Sequence, residues 1–232
     1  MMTGTRALAL GAVLVLCAQA AQTQDRSRYR DFRLGANLTS VAALAKLPAS
    51  GAKTVHQRPA LIQELEWRQP FVTSGPTMSQ SDPLQRIVFS FYDDQLFRLV
   101  ISYDRQRTNG LTDGDMIEAI SATYGKALLQ SSPGNVPALA ASLVTELGPP
   151  IAQWGDVDYS VALYRSSFAS EFRVVVTSPR LDALALIATT EAIRLDERDA
   201  PQREVERKEK EAADTRAAQE KARLANKAAF KP

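Results

Sequence analysis

The chain has 232 residues, of which 45% are apolar and 23% charged, so it is long enough and apolar enough to bury one hydrophobic core. Its 28 basic and 26 acidic side chains leave a net charge of +2, a balance that does not point to nucleic acid as a partner. A single cysteine and a single histidine exclude most zinc and thiol chemistry. We therefore expect one globular domain with appendages, and no metal site or cofactor.

The first twenty residues predict a cleavable export signal. Arg6 precedes an uninterrupted apolar run over residues 7–18, and the small residues around Gln19 form a signal-peptidase site, so cleavage is predicted after Ala20. The run is too short for a membrane span, which takes about 20 apolar residues. Cys17 follows a leucine rather than a small residue, which argues against a lipoprotein. We expect a periplasmic or secreted bacterial protein, soluble after cleavage and without an integral membrane span.

The first half of the mature chain predicts a helix followed by strands. Residues 21–30 are polar and are expected to form a flexible lead. A helix is predicted from Leu38 to Leu47, with Asn37 or Thr39 as its N-cap. Residues 61–67 predict a strand, and residues 70–85 an exposed loop that is rich in turn-forming residues.

A hairpin follows, because residues 87–92 and 96–103 are rich in β-branched and aromatic side chains. A loop of three residues, 93–95, places Phe91 opposite Phe97. The same register places Phe89 opposite Leu99 and Ile87 opposite Ile101, which gathers the apolar side chains on one face of the sheet. We expect this face to lie against the helices.

The second half of the domain repeats this order. A helix is predicted from Thr112 to Gly125, with Thr112 and Asp115 near a capping box, and another from residue 135 to 147. A short strand over residues 151–154 precedes a hairpin of residues 159–165 and 171–177. Residues 97–102 align with 172–177 at an offset of 75, and residues 89–92 align with 161–164 at an offset of 72. A duplicated unit, about 31–104 and 111–178, explains this likeness, and convergent β patterning is the alternative.

The C-terminal segment differs in composition from the rest. A helix is predicted from about Pro179 to residue 193, and residues 195–232 form a charged tail. Residues 196–232 hold nine acidic and ten basic side chains, with acidic residues placed four positions before basic ones. We expect a solvated, coiled-coil-like helical tail, although no heptad repeat is sustained. Two interpretations of this tail stay open: a charged helical extension, partly frayed, that binds nothing, and an arm that binds a partner.

These elements predict an α+β fold in which an antiparallel sheet has helices on one face, built from two tandem helix-plus-three-strand units and followed by a charged C-terminal helix. A Leu34-Gly35 pair before a short helix, followed by three strands and repeated at about 75 residues, resembles the small bacterial outer-membrane assembly lipoproteins and the β-lactamase inhibitor proteins. The segment from Tyr29 to Gly35 and the Trp154 segment resemble exported bacterial proteins of an uncharacterised family. The resemblance implies an envelope location and carries over no functional residue.

Enzymatic chemistry finds little support in the residue types. His56 is the only histidine, and no Gly-x-Ser-x-Gly motif accompanies it. Glu64 and Glu66 point the same way from one strand, as a glycosidase pair would, but the pattern favours a solvated strand face. A hydrolase that uses His56 or these carboxylates remains an alternative function, and so does a carrier of a small apolar ligand.

Recognition by a protein surface is the preferred prediction, so no catalytic residue is assigned. If the apolar side chains face the helices, each hairpin presents one tyrosine and one arginine on its opposite face. These residue types often dominate binding energy at interfaces. The predicted partner is another envelope protein, and the predicted contact residues are Tyr92, Arg98, Tyr164 and Arg173. An ordinary solvated sheet face is the alternative.

Overall fold

The structure is a computed structural model that describes residues 25–70, 82–128, 147–166, 171–229 and 231. Within these residues, three helices of more than one turn and nine strands form an α+β fold, as predicted. In chain order they are β1 (Arg28–Tyr29), β2 (Phe32–Arg33), α1 (Leu38–Ala45), β3 (Lys53–His56), β4 (Ile62–Arg68), β5 (Leu84–Tyr92), β6 (Gln95–Tyr103), α2 (Asp113–Tyr124), β7 (Ala152–Gly155), β8 (Ser160–Arg165), β9 (Phe172–Thr177) and α3 (Pro179–Ala229).

One antiparallel sheet of seven strands organises the domain, in the order β3-β4-β5-β6-β9-β8-β7, and β1 and β2 form a separate small hairpin. We call the face that carries Phe89 and Leu99 the inner face, and the opposite one the outer face. Helices α1 and α2 cover the inner face with Val41, Met116 and other apolar residues. Leucine, isoleucine, valine and aromatic residues of six strands fill this core because alternate positions of each strand are apolar.

The helix boundaries follow the predicted capping residues. The Asn37 side chain accepts a hydrogen bond from the Ser40 amide at 2.8 Å, and so caps α1. Thr112 and Asp115 form a reciprocal capping box at the start of α2, and Gly125 ends that helix with a φ of 88°. The N-cap and C-terminal signals of α2 are therefore confirmed.

The first hairpin has a shorter turn than predicted. Asp93 and Asp94, with φ values of 43° and 64°, form a turn of two residues, so Phe91 lies opposite Leu96. A β-bulge at Phe97 then restores the predicted pairs of Phe89 with Leu99 and of Ile87 with Ile101. The predicted Phe91–Phe97 pair is wrong, and Phe97 packs on the outer face beside Ile62.

Six of the seven strands have a mirrored order about the centre of the sheet, where β6 and β9 pair antiparallel. Val100 lies opposite Val175, its equivalent at the predicted offset of 75, as an approximate twofold axis requires. On the neighbouring strands β5 and β8, Ile87 pairs with Ile101 and Val161 pairs with Val176. Ile87 and Val161 are therefore equivalent, at an offset of 74 residues instead of the predicted 72. The tyrosine match is therefore wrong, because Tyr164 corresponds to Ser90. Duplication itself stays a prediction.

Residues 25–30 belong to the fold rather than to a flexible lead. Tyr29 is buried in the core at 8% exposure, and Ser27 is buried beside it. The Ser27 amide and hydroxyl both donate to the Asp25 carboxylate, which lowers the pKa of Asp25. A polar sequence concealed this because the buried contacts come from one tyrosine and from the main chain of a two-residue strand.

Helix α3 corrects the prediction that all helices lie on one face. Its first part packs on the outer face, where Leu181 and Ala185 contact Ile62, Tyr92 and Phe97. The buried residues of α3 are Asp182, Ala185, Ala188 and Ala192. They follow a helical spacing, so a strip of small side chains faces the sheet.

Some predictions fall on residues that the structure does not describe. The export signal with its cleavage at Ala20 lies outside the described residues, and so do residues 71–81 of the predicted loop and most of the predicted helix over residues 135–147. Within the described ranges, no helix is both long enough and apolar enough to cross a membrane.

Candidate functional site: the outer face and helix α3

Arg98 does not stand free on the sheet but is joined to α3. Its guanidinium Nη2 donates to the carboxylate of Asp182, and its Cζ lies 5.3 Å from the centre of the Phe97 ring. The Arg98 and Asp182 side chains are 19% and 6% exposed. Burial raises the pKa of Asp182, and the nearby Arg98 opposes that rise. This ion pair therefore attaches the start of α3 to strand β6.

Tyr164 is also covered. Its side chain is 3% exposed and packs in a small cluster with Leu147, Ala162 and Val175. Burial is also the main cause that raises the pKa of its phenol. A tyrosine in this position stabilises the outer face by packing and has little surface left for a partner.

Tyr92 and Arg173 are partly exposed, but they do not lie beside each other. Tyr92 ends β5 opposite Gln95 and packs against the cluster under α3. Arg173 lies opposite Tyr164 and pairs with Glu171 at 3.1 Å, with 30% of its side chain exposed. The structure therefore brings Tyr164 and Arg173 together and leaves Tyr92 at the other end of the sheet face. The exposed four-residue surface that the sequence predicted is not present.

A second ion-pair cluster fixes the point at which α3 leaves the sheet. Arg58, in the connection between β3 and β4, lies 2.6 Å from Asp199 and 3.9 Å from Asp196. The hydrogen bond from Arg58 lowers the pKa of Asp199. Together with the Arg98–Asp182 pair, this contact holds α3 across the outer face. The sequence did not predict either ion pair, because Arg98 and Asp182 are 84 residues apart and Arg58 and Asp199 are 141 residues apart.

Beyond this point α3 continues as an arm, which we define as residues 200–229. Every residue of the arm is helical and exposed. At 1.5 Å per residue the arm is roughly 45 Å long. Ion pairs one turn apart, such as Glu204–Arg207 at 2.7 Å and Glu220–Arg223 at 2.5 Å, support the helix along this exposed stretch.

One of the groups considered for hydrolysis, Glu66, is held in structural contacts. Glu66 accepts from Arg68 and Arg86, both at 2.8 Å, so its carboxylate is fixed between two cations. In the described part of the chain His56, on the edge strand β3, forms no hydrogen bond with Glu64 or Glu66. No group of three or more metal-ligating side chains occurs in that part either.

A cluster of phenols closes one margin of the inner core. The hydroxyls of Tyr29 and Tyr103 lie 3.3 Å apart, and the Tyr124 hydroxyl donates to the Arg28 carbonyl at 2.8 Å. Burial raises the pKa of all three phenols. They remain protonated at neutral pH and act as hydrogen-bond donors that join the β1–β2 hairpin to the domain.

These observations define the protein as an α+β sheet domain in which the C-terminal helix packs on part of the outer face and then extends from the domain as an arm. No protein-family model matches the chain. Neither the curated proteins nor the solved structures that were compared with it give a significant match. The resemblance drawn from the sequence therefore stays a prediction.

Proposed function

We propose that this is an exported, non-catalytic envelope protein that binds another protein through the arm of α3. The observation that carries the proposal is the exposure of all residues from 200 to 229 in a helix that continues from the domain through Pro201. An exposed helix depends for its stability on its own sequence, because no packed face supports it. The ion pairs along the arm supply that support, so the arm is ready to bind without further ordering.

The sheet face supports this function less well. Arg98 and Tyr164 are engaged by Asp182 and by the cluster around Leu147, so a partner could reach them only after those contacts were broken. The arm needs no such rearrangement. The sequence allowed binding through the sheet face, the charged tail or both, and the proposal keeps the tail.

Site-specific photo-crosslinking in the exporting host tests the proposal. Benzoylphenylalanine placed at Thr215 or Gln219, both exposed on the arm, should give a defined crosslinked species. The same group at Lys46, exposed on the far side of the domain, is the matched control and should give none. A chain ending at Ala200 should lose capture of that species in a pull-down. Crosslinks from Lys46 alone, or full capture by the shortened chain, would contradict the proposal.

A further inference from the structure

Helix α3 is unusual because several of its larger aliphatic side chains face away from the domain. The strip buried against the sheet is made of alanines and Asp182, and Leu181 packs partly buried beside it. Four large aliphatic residues in the first half of the helix are exposed, at 39%, 39%, 67% and 50%: Leu184, Leu186, Ile187 and Ile193. We define the aliphatic patch as Leu184 and Ile187, which lie three positions apart on one side of the helix. Helices of water-soluble domains normally place such side chains toward the core. The patch therefore indicates a contact outside this chain.

Cations follow the same side of the helix. One line of positions along α3 recurs at intervals of seven, seven and four residues. Since 18 residues make five helical turns, these positions share one side of the helix. The line consists of residues 180, 187, 194, 198, 205, 212, 216 and 223. On an ideal helix they lie within about 40° of one another and run for roughly 65 Å, and α3 contains one proline, Pro201, within this length. We call this line the arginine stripe: Arg180, Ile187, Arg194, Arg198, Val205, Ala212, Arg216 and Arg223.

The arginine stripe holds five of the seven arginines of α3 and three apolar residues, and three glutamates, Glu191, Glu209 and Glu220, lie along one edge of it. All eight residues are exposed. Arg180 and Arg216 form no ion pair within the described residues, and Arg194 and Arg223 pair only with exposed glutamates one turn away. Arg198 pairs with Asp199 at 3.0 Å. Each exposed pair contributes only about 0.2–0.5 kcal/mol, so a single guanidinium can exchange its carboxylate for another anion while the remaining pairs support the helix.

From this arrangement we infer that the arginine stripe and the aliphatic patch bind the surface of an anionic phospholipid bilayer. Guanidinium groups pair with phosphate through two parallel hydrogen bonds, and aliphatic side chains enter the boundary between headgroups and acyl chains. The sheet lies on the opposite side of α3, so a planar surface can meet the stripe without meeting the sheet. A flat, fluid surface also fits a line of cations and aliphatic groups that extends past the domain.

This inference goes beyond the proposed function, because it requires no partner protein. Its test is co-sedimentation with vesicles of equimolar phosphatidylcholine and phosphatidylglycerol, and with vesicles of phosphatidylcholine alone. The chain is used both with and without residues 1–20, so that the predicted export signal cannot be the source of binding. Binding to the anionic vesicles by both forms, and much weaker binding to the neutral vesicles, is expected.

Matched pairs of variants locate the contact. Arg216→Gln with Arg223→Gln removes two charges from the stripe and should weaken binding about thirtyfold. Arg203→Gln with Arg207→Gln removes the same charge from the opposite side of the arm and should leave binding nearly unchanged. Circular dichroism verifies that both chains keep their helix.

A second pair of variants tests the contribution of the aliphatic side chains to binding. Ile187→Ser should weaken binding about tenfold, because the side chain would be buried at the headgroup boundary. Leu224→Ser is the control, since Leu224 is 54% exposed but lies about 100° from the stripe. The inference would be overturned if the two variants of either pair lost equal binding affinity, or if the native chain did not bind anionic vesicles. Stripe-dependent binding to poly-L-glutamate but not to vesicles would also overturn it, and would assign the stripe to an acidic protein.

Discussion

The ion pair between Arg98 and Asp182 gives the sharpest prediction about stability. Replacing Asp182 by leucine leaves the Arg98 guanidinium under α3 without its acceptor. Removing one partner of a fully buried pair costs about 3–5 kcal/mol, and Arg98 keeps 19% of its side chain exposed, so about 3 kcal/mol is expected for Asp182→Leu. Arg98→Met combined with Asp182→Leu should differ from the native chain by no more than about 1 kcal/mol, because the double change leaves no unpaired charge.

The measurement is urea unfolding followed by the fluorescence of Trp67 and Trp154, both in contact with the inner core. Hydrogen exchange at residues 182–192 reports separately on whether α3 stays on the sheet. The two single variants and the double variant complete a thermodynamic cycle. If Asp182→Leu is as stable as the native chain and the cycle shows no coupling, the pair does not hold α3 in place.

The pH dependence has a definite sign. The pKa of Asp182 is raised in the folded chain, so the folded state binds this proton more tightly than the unfolded state does. The contribution of this group to the free energy of unfolding therefore falls as the pH rises from about 4 through the raised pKa. Asp182→Leu should remove this component of the pH profile. An unchanged profile between the native chain and the variant would refute this assignment.

Three further predictions concern the turn, the core and the arm. Asp94 has a φ of 64° and accepts from the Leu38 amide at 2.9 Å, so Asp94→Ala should cost about 2 kcal/mol in urea unfolding and Asp94→Asn should cost little. Ser121→Ala removes the 3.1 Å acceptor of the buried Trp154 indole, and should lower the free energy of unfolding by about 1–3 kcal/mol, whereas the same change at exposed Ser40 should not. A chain ending at Ala200 should unfold at the urea concentration of the native chain, because every residue of the arm is exposed; a lower midpoint would mean that the arm contributes to the domain.

The sequence by itself determined those features that depend on neighbouring residues. Capping side chains at Asn37 and Thr112 marked the starts of α1 and α2, since a cap acts over three positions. Alternating apolar residues marked strands β5, β6, β8 and β9, and the charged composition after residue 195 indicated an exposed helix. The pairing of Phe89 with Leu99 also followed from pattern, because only one register buries both side chains.

Only the tertiary structure decided what lies on the outer face. Tyr164 and Arg98 occupy positions that alternation assigns to solvent, yet Leu147 and α3 cover them. The bulge at Phe97 was equally hidden, because a turn of two residues with a bulge and a turn of three residues give the same pairs farther along the strands. The alternation of residues along a strand indicates that its two sides differ. Which side meets solvent depends on contacts between distant residues, such as 98 and 182, and these contacts form only when the chain folds.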